Sequence, residues 1–263
     1  MELALFPLYT VLCPGVALPL HIFEPRYRAL VDRCVTTGEP FGVVLIREGP
    51  EVGGPAARVA DVGTTALIRE AGRYPDGRLD IMTVGGRRFR IGGTAAAPEG
   101  YLVADVRYLD EPIGDAPAAR RLAEHVSARF LRYLELLQPA LDDDGPEVEV
   151  ELVLDVPDAP AGSEPEPAAG GPEVIAGTDA DRRELLMAAA RRLVTPEDPT
   201  ALSYVLAGLV QLELPSRQVL LEAPDTETRL RALDGLLDRE IELLGRQLKP
   251  LVVNREPQAF RAN

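Results

Sequence analysis

The nucleophiles and bases of this chain are few enough to weigh one by one. Its only histidines are His21 and His125, its only cysteines Cys13 and Cys34, and its only lysine is Lys249. A serine–lysine dyad would need Lys249, which stands beside Pro250 where a helical pattern ends. Cys34 with His21 is the remaining nucleophile–base pairing. Cys34, however, falls on an apolar helical stripe, where cysteine packs as a small hydrophobe. Two histidines about a hundred residues apart, with no C-x-x-C pair, do not make a zinc site. The phosphate-cradling G-x-x-x-x-G-K-[ST] loop, the G-x-G-x-x-G turn and the G-x-S-x-G elbow do not occur in the 263 residues. Asp142, Asp143 and Asp144 lack the ligand spacing of a calcium loop and read as a solvated charged linker. No catalytic residue, metal site or cofactor is therefore assigned. Arg87, Arg88 and Arg90 form a basic cluster on strand-like sequence, able to meet an anion or a carboxylate or to pair with nearby Asp and Glu.

The elements around these residues fall into two halves. In residues 1–112 the pattern is mostly β. Leu3 to Leu8 is a short apolar run, and Phe41 to Ile46 a continuous one, as expected of a buried strand. Val62 to Ile68 is β-rich. Leu79, Ile81 and Thr83 alternate with Asp80, Met82 and Val84. Phe89 and Ile91 alternate with Arg88 and Arg90, which predicts a half-buried strand, and Leu102, Ala104, Val106 and Tyr108 share one face. Pro75-Asp76-Gly77 predicts a hairpin turn, and Gly85-Gly86 a break or bulge. One helix interrupts the strands. From Pro25, the residues Tyr27, Leu30, Val31 and Cys34 keep helical spacing, and Gly38 closes the segment.

Residues 113–263 read as helices. One spans Asp115 to Gln138. Asp198-Pro199 predicts a capped start for Thr200 to Gln211, Ser216 a short helix to Leu221, and Asp225 a long one to about Leu248. Between them, residues 139–181 hold thirteen acidic side chains and no basic one. That insert predicts disorder at 157–173, with Val148 to Val156 as an edge strand and helix resuming near Asp181. From Pro250 an irregular arm is expected.

The net charge of −14 is uneven. Residues 111–183 carry 6 basic and 17 acidic side chains, whereas the flanking stretches are nearly balanced. An acidic chain of pI near 4.7 argues against nucleic acid, whose phosphates need a basic face. The N-terminus lacks the basic region of a signal peptide, no run of about 18 apolar residues is present, and two cysteines make no disulfide framework. A reducing cytoplasm is the expected location, with no membrane partner.

Six segments, in order, carry a resemblance. They are Leu5-Phe-Pro-Leu8 with Cys13-Pro-Gly-Val-Ala-Leu-Pro-Leu20, and His21-Ile-Phe-Glu-Pro-Arg-Tyr27. Ala60 to Thr65 with Pro75-Asp-Gly77 follows, then Thr83 to Arg90, Tyr101 to Val106, and the stretch from Leu202 through Arg217-Gln-Val-Leu-Leu-Glu222 to Leu230. Together they resemble the substrate-binding N-terminal domain of Lon proteases, in its stand-alone form. The resemblance implies an α+β fold: an N-terminal PUA-like β pseudo-barrel with one helix, then a C-terminal α-helical bundle. It implies a non-enzymatic module for protein or peptide recognition, an adaptor in protein quality control. Its partners would be unfolded or tagged protein segments and an ATP-dependent protease. Neither the Walker motifs of the Lon ATPase nor its Ser–Lys peptidase pattern is found in these residues. Binding is assigned to Pro14, Leu18, Pro19, His21, Phe23, Glu24, Tyr27 and Arg88, with the expectation that some of them line an exposed groove. An RNA-binding PUA-like domain and a cryptic or peptidase-associated hydrolase are the alternatives.

Overall fold

The apolar run Phe41–Ile46 is continuous because its strand is covered on both sides. The structure, a computed structural model, describes residues 1–49, 58–141, 190 and 198–247. Within them the strands are β1 (Glu2–Leu8), β2 (Ala17–Ile22), β3 (Phe41–Glu48), β4 (Arg58–Val59), β5 (Val62–Arg73), β6 (Leu79–Ala96) and β7 (Leu102–Tyr108). The helices are α1 (Pro25–Thr37), α2 (Ala116–Leu141), α3 (Pro199–Leu209), α4 (Leu214–Glu222) and α5 (Thr226–Gln247). The acidic insert beyond Leu141, with its expected disorder and edge strand, lies outside the described residues, as does the arm from Pro250.

The strands run β1–β7–β6–β5–β3, and parallel pairing of β1 with β3 (Leu5 opposite Gly42) closes the ring into a barrel. β2 stands outside that ring. It pairs antiparallel with the first part of β6, Ala17 opposite Val84 through Ile22 opposite Leu79. The Gly85-Gly86 dipeptide does not end a strand: β6 runs through it as one 18-residue strand. The pairing with β5 slips there, from Ala66–Gly85 to Thr64–Arg88, so β6 carries an extra residue. This is a bulge, and it changes which side chains face inward.

Helix α1 follows its sequence signals. Pro25 occupies the first turn, Tyr27, Leu30, Val31 and Cys34 are buried, and Gly38 closes the helix at φ 71°. These residues fill the barrel core together with Phe6, Phe41, Val43, Ile22 and Ile81. Asp198 caps α3 by accepting from the amides of Thr200 (2.8 Å) and Ala201 (3.2 Å). Asp225 caps α5 through the Thr228 amide (2.7 Å). Helix α4 begins at Leu214 rather than at Ser216, because Pro215 fits its first turn.

The helices do not form a core of their own. Phe130, Leu206, Leu220, Leu230 and Leu233 join Val11, Cys13, Leu45, Ala60 and Val62 of the β half in one apolar cluster. Gln218 of α4 donates to the Val62 carbonyl at 3.0 Å, a further tie across the junction. Cys13 and Cys34 are both buried and unbridged, and burial pushes each thiol up to about 11. Both are then neutral thiols at neutral pH, which suits packing and not nucleophilic attack. Native protein at pH 8 is expected to leave Ellman's reagent uncoloured over minutes, and denatured protein to release two equivalents. Fast reaction of either thiol in the folded state would refute this. No helix among the described residues is long and apolar enough to cross a membrane.

Candidate functional site

In an antiparallel ladder, bonded and non-bonded pairs alternate. The Gly85 amide donates to the Val16 carbonyl at 2.9 Å, in register with the β2–β6 pairing. Leu18, Leu20 and Ile22 therefore turn their backbone groups to β6, and Ala17, Pro19 and His21 turn theirs to the free edge. Pro19 has no amide to lose there, which is why a proline is tolerated in this strand. The side chains alternate too. Ile22 is buried, and Leu18 packs against the barrel core, whereas Pro19 and His21 are exposed.

The pairing then sets two rows of side chains on the outer face of β2, β6 and β5. One row is Pro19, Met82 and Glu70; the next is His21, Asp80 and Gly72. These residues line a hollow of about 710 Å³ with an apolar floor. Two exposed aromatics stand next to the His21 side of it. The His21 ring lies 6.2 Å from Phe23 and 6.1 Å from Tyr74, and Phe23 and Tyr74 stay 49% and 43% exposed. His21 Nδ1 sits 2.5 Å from Asp80 Oδ1, and the Tyr74 hydroxyl donates to the other carboxylate oxygen. Bonds from Tyr74 and then His21 hold the Asp80 carboxyl below its ordinary range, and the same contact raises the Tyr74 phenol. Asp80 is thus a fixed, ionised group.

On the other side of Pro19–His21 lies a second, smaller hollow of about 220 Å³. It is bounded by Phe6 and Leu8 of β1, by Phe23 and Glu24, and by Tyr27. Here β2 and β1 flank an unpaired seam. Tyr27 is buried and stacks on Phe6 at 4.0 Å, so it floors the seam and docks α1. The Glu24 carboxylate is held by Arg26 at 3.0 Å.

The sequence-assigned residues therefore divide. Pro19, His21, Phe23, Glu24 and Tyr27 come together along β2. Leu18 belongs to the core. Pro14 lines a separate hollow of about 260 Å³ where the barrel meets α3, beside Arg87, Glu111 and Tyr204. Arg88 is corrected outright: it is only 1% exposed and faces the helices. Its guanidinium donates to Glu111 at 2.8 and 3.0 Å and to the carbonyls of Leu221 (2.7 Å) and Ala223 (2.8 Å). A side chain with its donors so engaged has nothing left for a ligand. Alternation set it on the face opposite Phe89, and that face is not open to solvent, because the helices cover it. Tyr74, Asp80, Met82 and Glu70 were not assigned, although the hairpin at Pro75–Gly77 and the outward phase of Asp80 and Met82 both pointed to them. Among the described residues, no group of three His, Cys, Asp or Glu is placed to hold a metal ion.

The described residues thus form a closed barrel with an added edge strand, tied to a helical bundle. The profile of the ATP-dependent protease La (LON) substrate-binding domain matches residues 2–239, and the chain belongs to that family. It is 26% identical over 245 residues to Lon protease 1 of Thermus thermophilus, covering 92% of this chain and 25% of that one. The chain thus spans about a quarter of the length of such full-length relatives. The crystal structure of a Lon N-terminal domain protein from Xanthomonas campestris aligns with a TM-score of 0.51 at 26% identity. The alignment covers 90% of this chain and 98% of that one. The N-terminal domain of the Mycobacterium avium complex Lon protease shares the fold, with a TM-score of 0.53 at 19% identity over 90% of this chain and 98% of that one.

Proposed function

We propose that this chain captures extended or unfolded segments of other proteins in the hollow along β2, without chemistry of its own, and serves an ATP-dependent protease. The observation that supports the reading is a largely apolar hollow lined by the sequence-assigned residues Pro19 and His21, beside a strand edge that is unpaired among the described residues, with the exposed aromatics Phe23 and Tyr74 next to His21. Exposed aromatics around an apolar recess are the usual anchors of a protein interface. Among the described residues the edge of β2 away from β6 is unpaired, and it offers an extended chain somewhere to pair. The RNA reading finds no support at this site, whose lining includes Glu70 and Asp80 and no lysine or arginine.

The test uses reduced, carboxamidomethylated α-lactalbumin as a permanently unfolded probe. Phe23→Ala is expected to weaken its binding about tenfold, the loss of roughly 1.4 kcal/mol of aromatic contact. The melting curve should stay unchanged, because Phe23 is half exposed. Undiminished binding by both Phe23→Ala and Tyr74→Ala would remove the hollow from consideration.

A further inference from the structure

The charge around the hollow is one-sided. Two carboxylates line it, Glu70 and Asp80, and its one basic lining residue is His21, already in contact with Asp80. Asp80 is bonded to an imidazole and a phenol and not to a guanidinium. Glu70 makes no ion pair with any described residue. Two arginines close in sequence carry other bonds: Arg73 pairs with Asp32, and Arg78, near enough to Asp80 to be felt by its charge, pairs with Asp76 and lies 5.4 Å from the centre of the Tyr74 ring. Two carboxylates beside Pro19 and Met82, with Phe23 and Tyr74 next to His21, are the surrounding a lysine or arginine side chain fits. Its stem would lie on Pro19 and Met82, and its head would meet Glu70, Asp80 and an aromatic face.

Resting on the capture reading above, we propose that the hollow selects segments in which a lysine or arginine accompanies apolar residues, and disfavours segments carrying an acidic residue there. Charge complementarity argues for this occupant, since the same face would repel an acidic segment and leave the Glu70 carboxylate unanswered. The selectivity belongs to these two carboxylates and is separate from the chain's overall charge of −14.

Fluorescence anisotropy with two labelled peptides decides it. Both share one apolar–aromatic sequence and differ at two positions, which are Lys and Arg in one and Glu in the other. The basic peptide is expected to bind about tenfold more tightly, as two partly desolvated ion pairs would give. The double variant Glu70→Gln with Asp80→Asn should erase most of that ratio. Glu70→Gln alone, which leaves the Asp80 bonds intact, should erase part of it. A control, Glu2→Gln with Glu99→Gln, removes the same charge from exposed positions outside the hollow and should keep the ratio. Equal binding of the two peptides, or an equal loss of discrimination in the control, overturns the selectivity while leaving capture standing. If neither peptide binds, the capture reading falls and the selectivity with it.

Discussion

Arg88→Met is expected to lower the unfolding free energy by about 3 kcal/mol, the loss of a buried guanidinium that satisfies two buried carbonyls and a carboxylate, Glu111, that is itself only partly buried. The reason lies in what Arg88 joins. Its Nε and Nη2 grip Glu111, Nη2 also reaches the Asp110 carbonyl (3.3 Å), and Nη1 closes the end of α4 at Leu221 and Ala223. Glu111 also accepts from the Tyr204 hydroxyl at 2.6 Å. The Arg229 guanidinium lies over the Tyr204 ring, 3.8 Å from its centre, and donates to the Leu220 carbonyl (3.1 Å) and to Ser203 (3.0 Å). One strand of the barrel is thereby fastened to α3, α4 and α5 through two guanidinium groups and one carboxylate. Burial pushes the Tyr204 phenol up and pulls Arg229 down, as expected for polar groups withdrawn from water.

Methionine keeps the bulk of Arg88 but leaves Glu111 and two helix-end carbonyls without their donors. Lysine should rescue little, since a single ammonium cannot reproduce a planar fork. Urea unfolding followed by circular dichroism measures the change. Arg88→Met with Glu111→Gln should recover part of the loss, because the orphaned charge is gone. A loss below about 1 kcal/mol for Arg88→Met would mean that the network is ornamental and the apolar cluster alone holds the two halves together.

How much of this was legible follows from the range of each signal. Local signals read well. Pro25 and Gly38 bracket α1, Asp198 and Asp225 cap their helices, and the stripe Tyr27, Leu30, Val31, Cys34 is buried as its spacing demands. The assigned residues Pro19, His21, Phe23, Glu24 and Tyr27 border one small hollow beside β2. Pairing across the chain read less well. Nothing in the local pattern says that β2 borrows its partner from β6, and this pairing is what sets His21 beside Asp80, 59 residues away. The phase of a strand also does not say what covers each face. Past the bulge of β6, Arg88 and Phe89 lie on opposite faces as alternation requires, yet both are buried, because the helices cover the Arg88 side. The binding role given to Arg88 failed for that reason, and the acidic residues of the hollow were overlooked because they are brought in by β5 and β6, not by the motif.

The same bulge sets up the second large effect. Gly85→Ala is expected to cost about 3 kcal/mol or more, at the upper end for an added methyl in a packed site. A Cβ on Gly85 would overlap the Cys13 carbonyl oxygen and stand 2.9 Å from its carbon. Both are backbone atoms, so no rotamer change relieves the clash. Nor can the strand step aside. Gly85 donates to Val16 (2.9 Å), accepts from Gly15 (2.8 Å) and pairs with Ala66 of β5, so β6 is held on both edges at this point. Relief must come from moving the Cys13–Val16 turn, the segment that launches β2. Structure and function are then coupled: displacing the turn shifts Pro19 and His21 against Met82 and Asp80, and the variant should bind the unfolded probe more weakly than its residual stability alone would explain. Gly93→Ala is the matched control. It adds the same methyl to the same strand where nothing lies within 4 Å, and should change stability by less than about 0.5 kcal/mol. A Gly85→Ala protein as stable as Gly93→Ala would show that the turn before β2 yields freely, and the hollow could then no longer be regarded as preformed by β6.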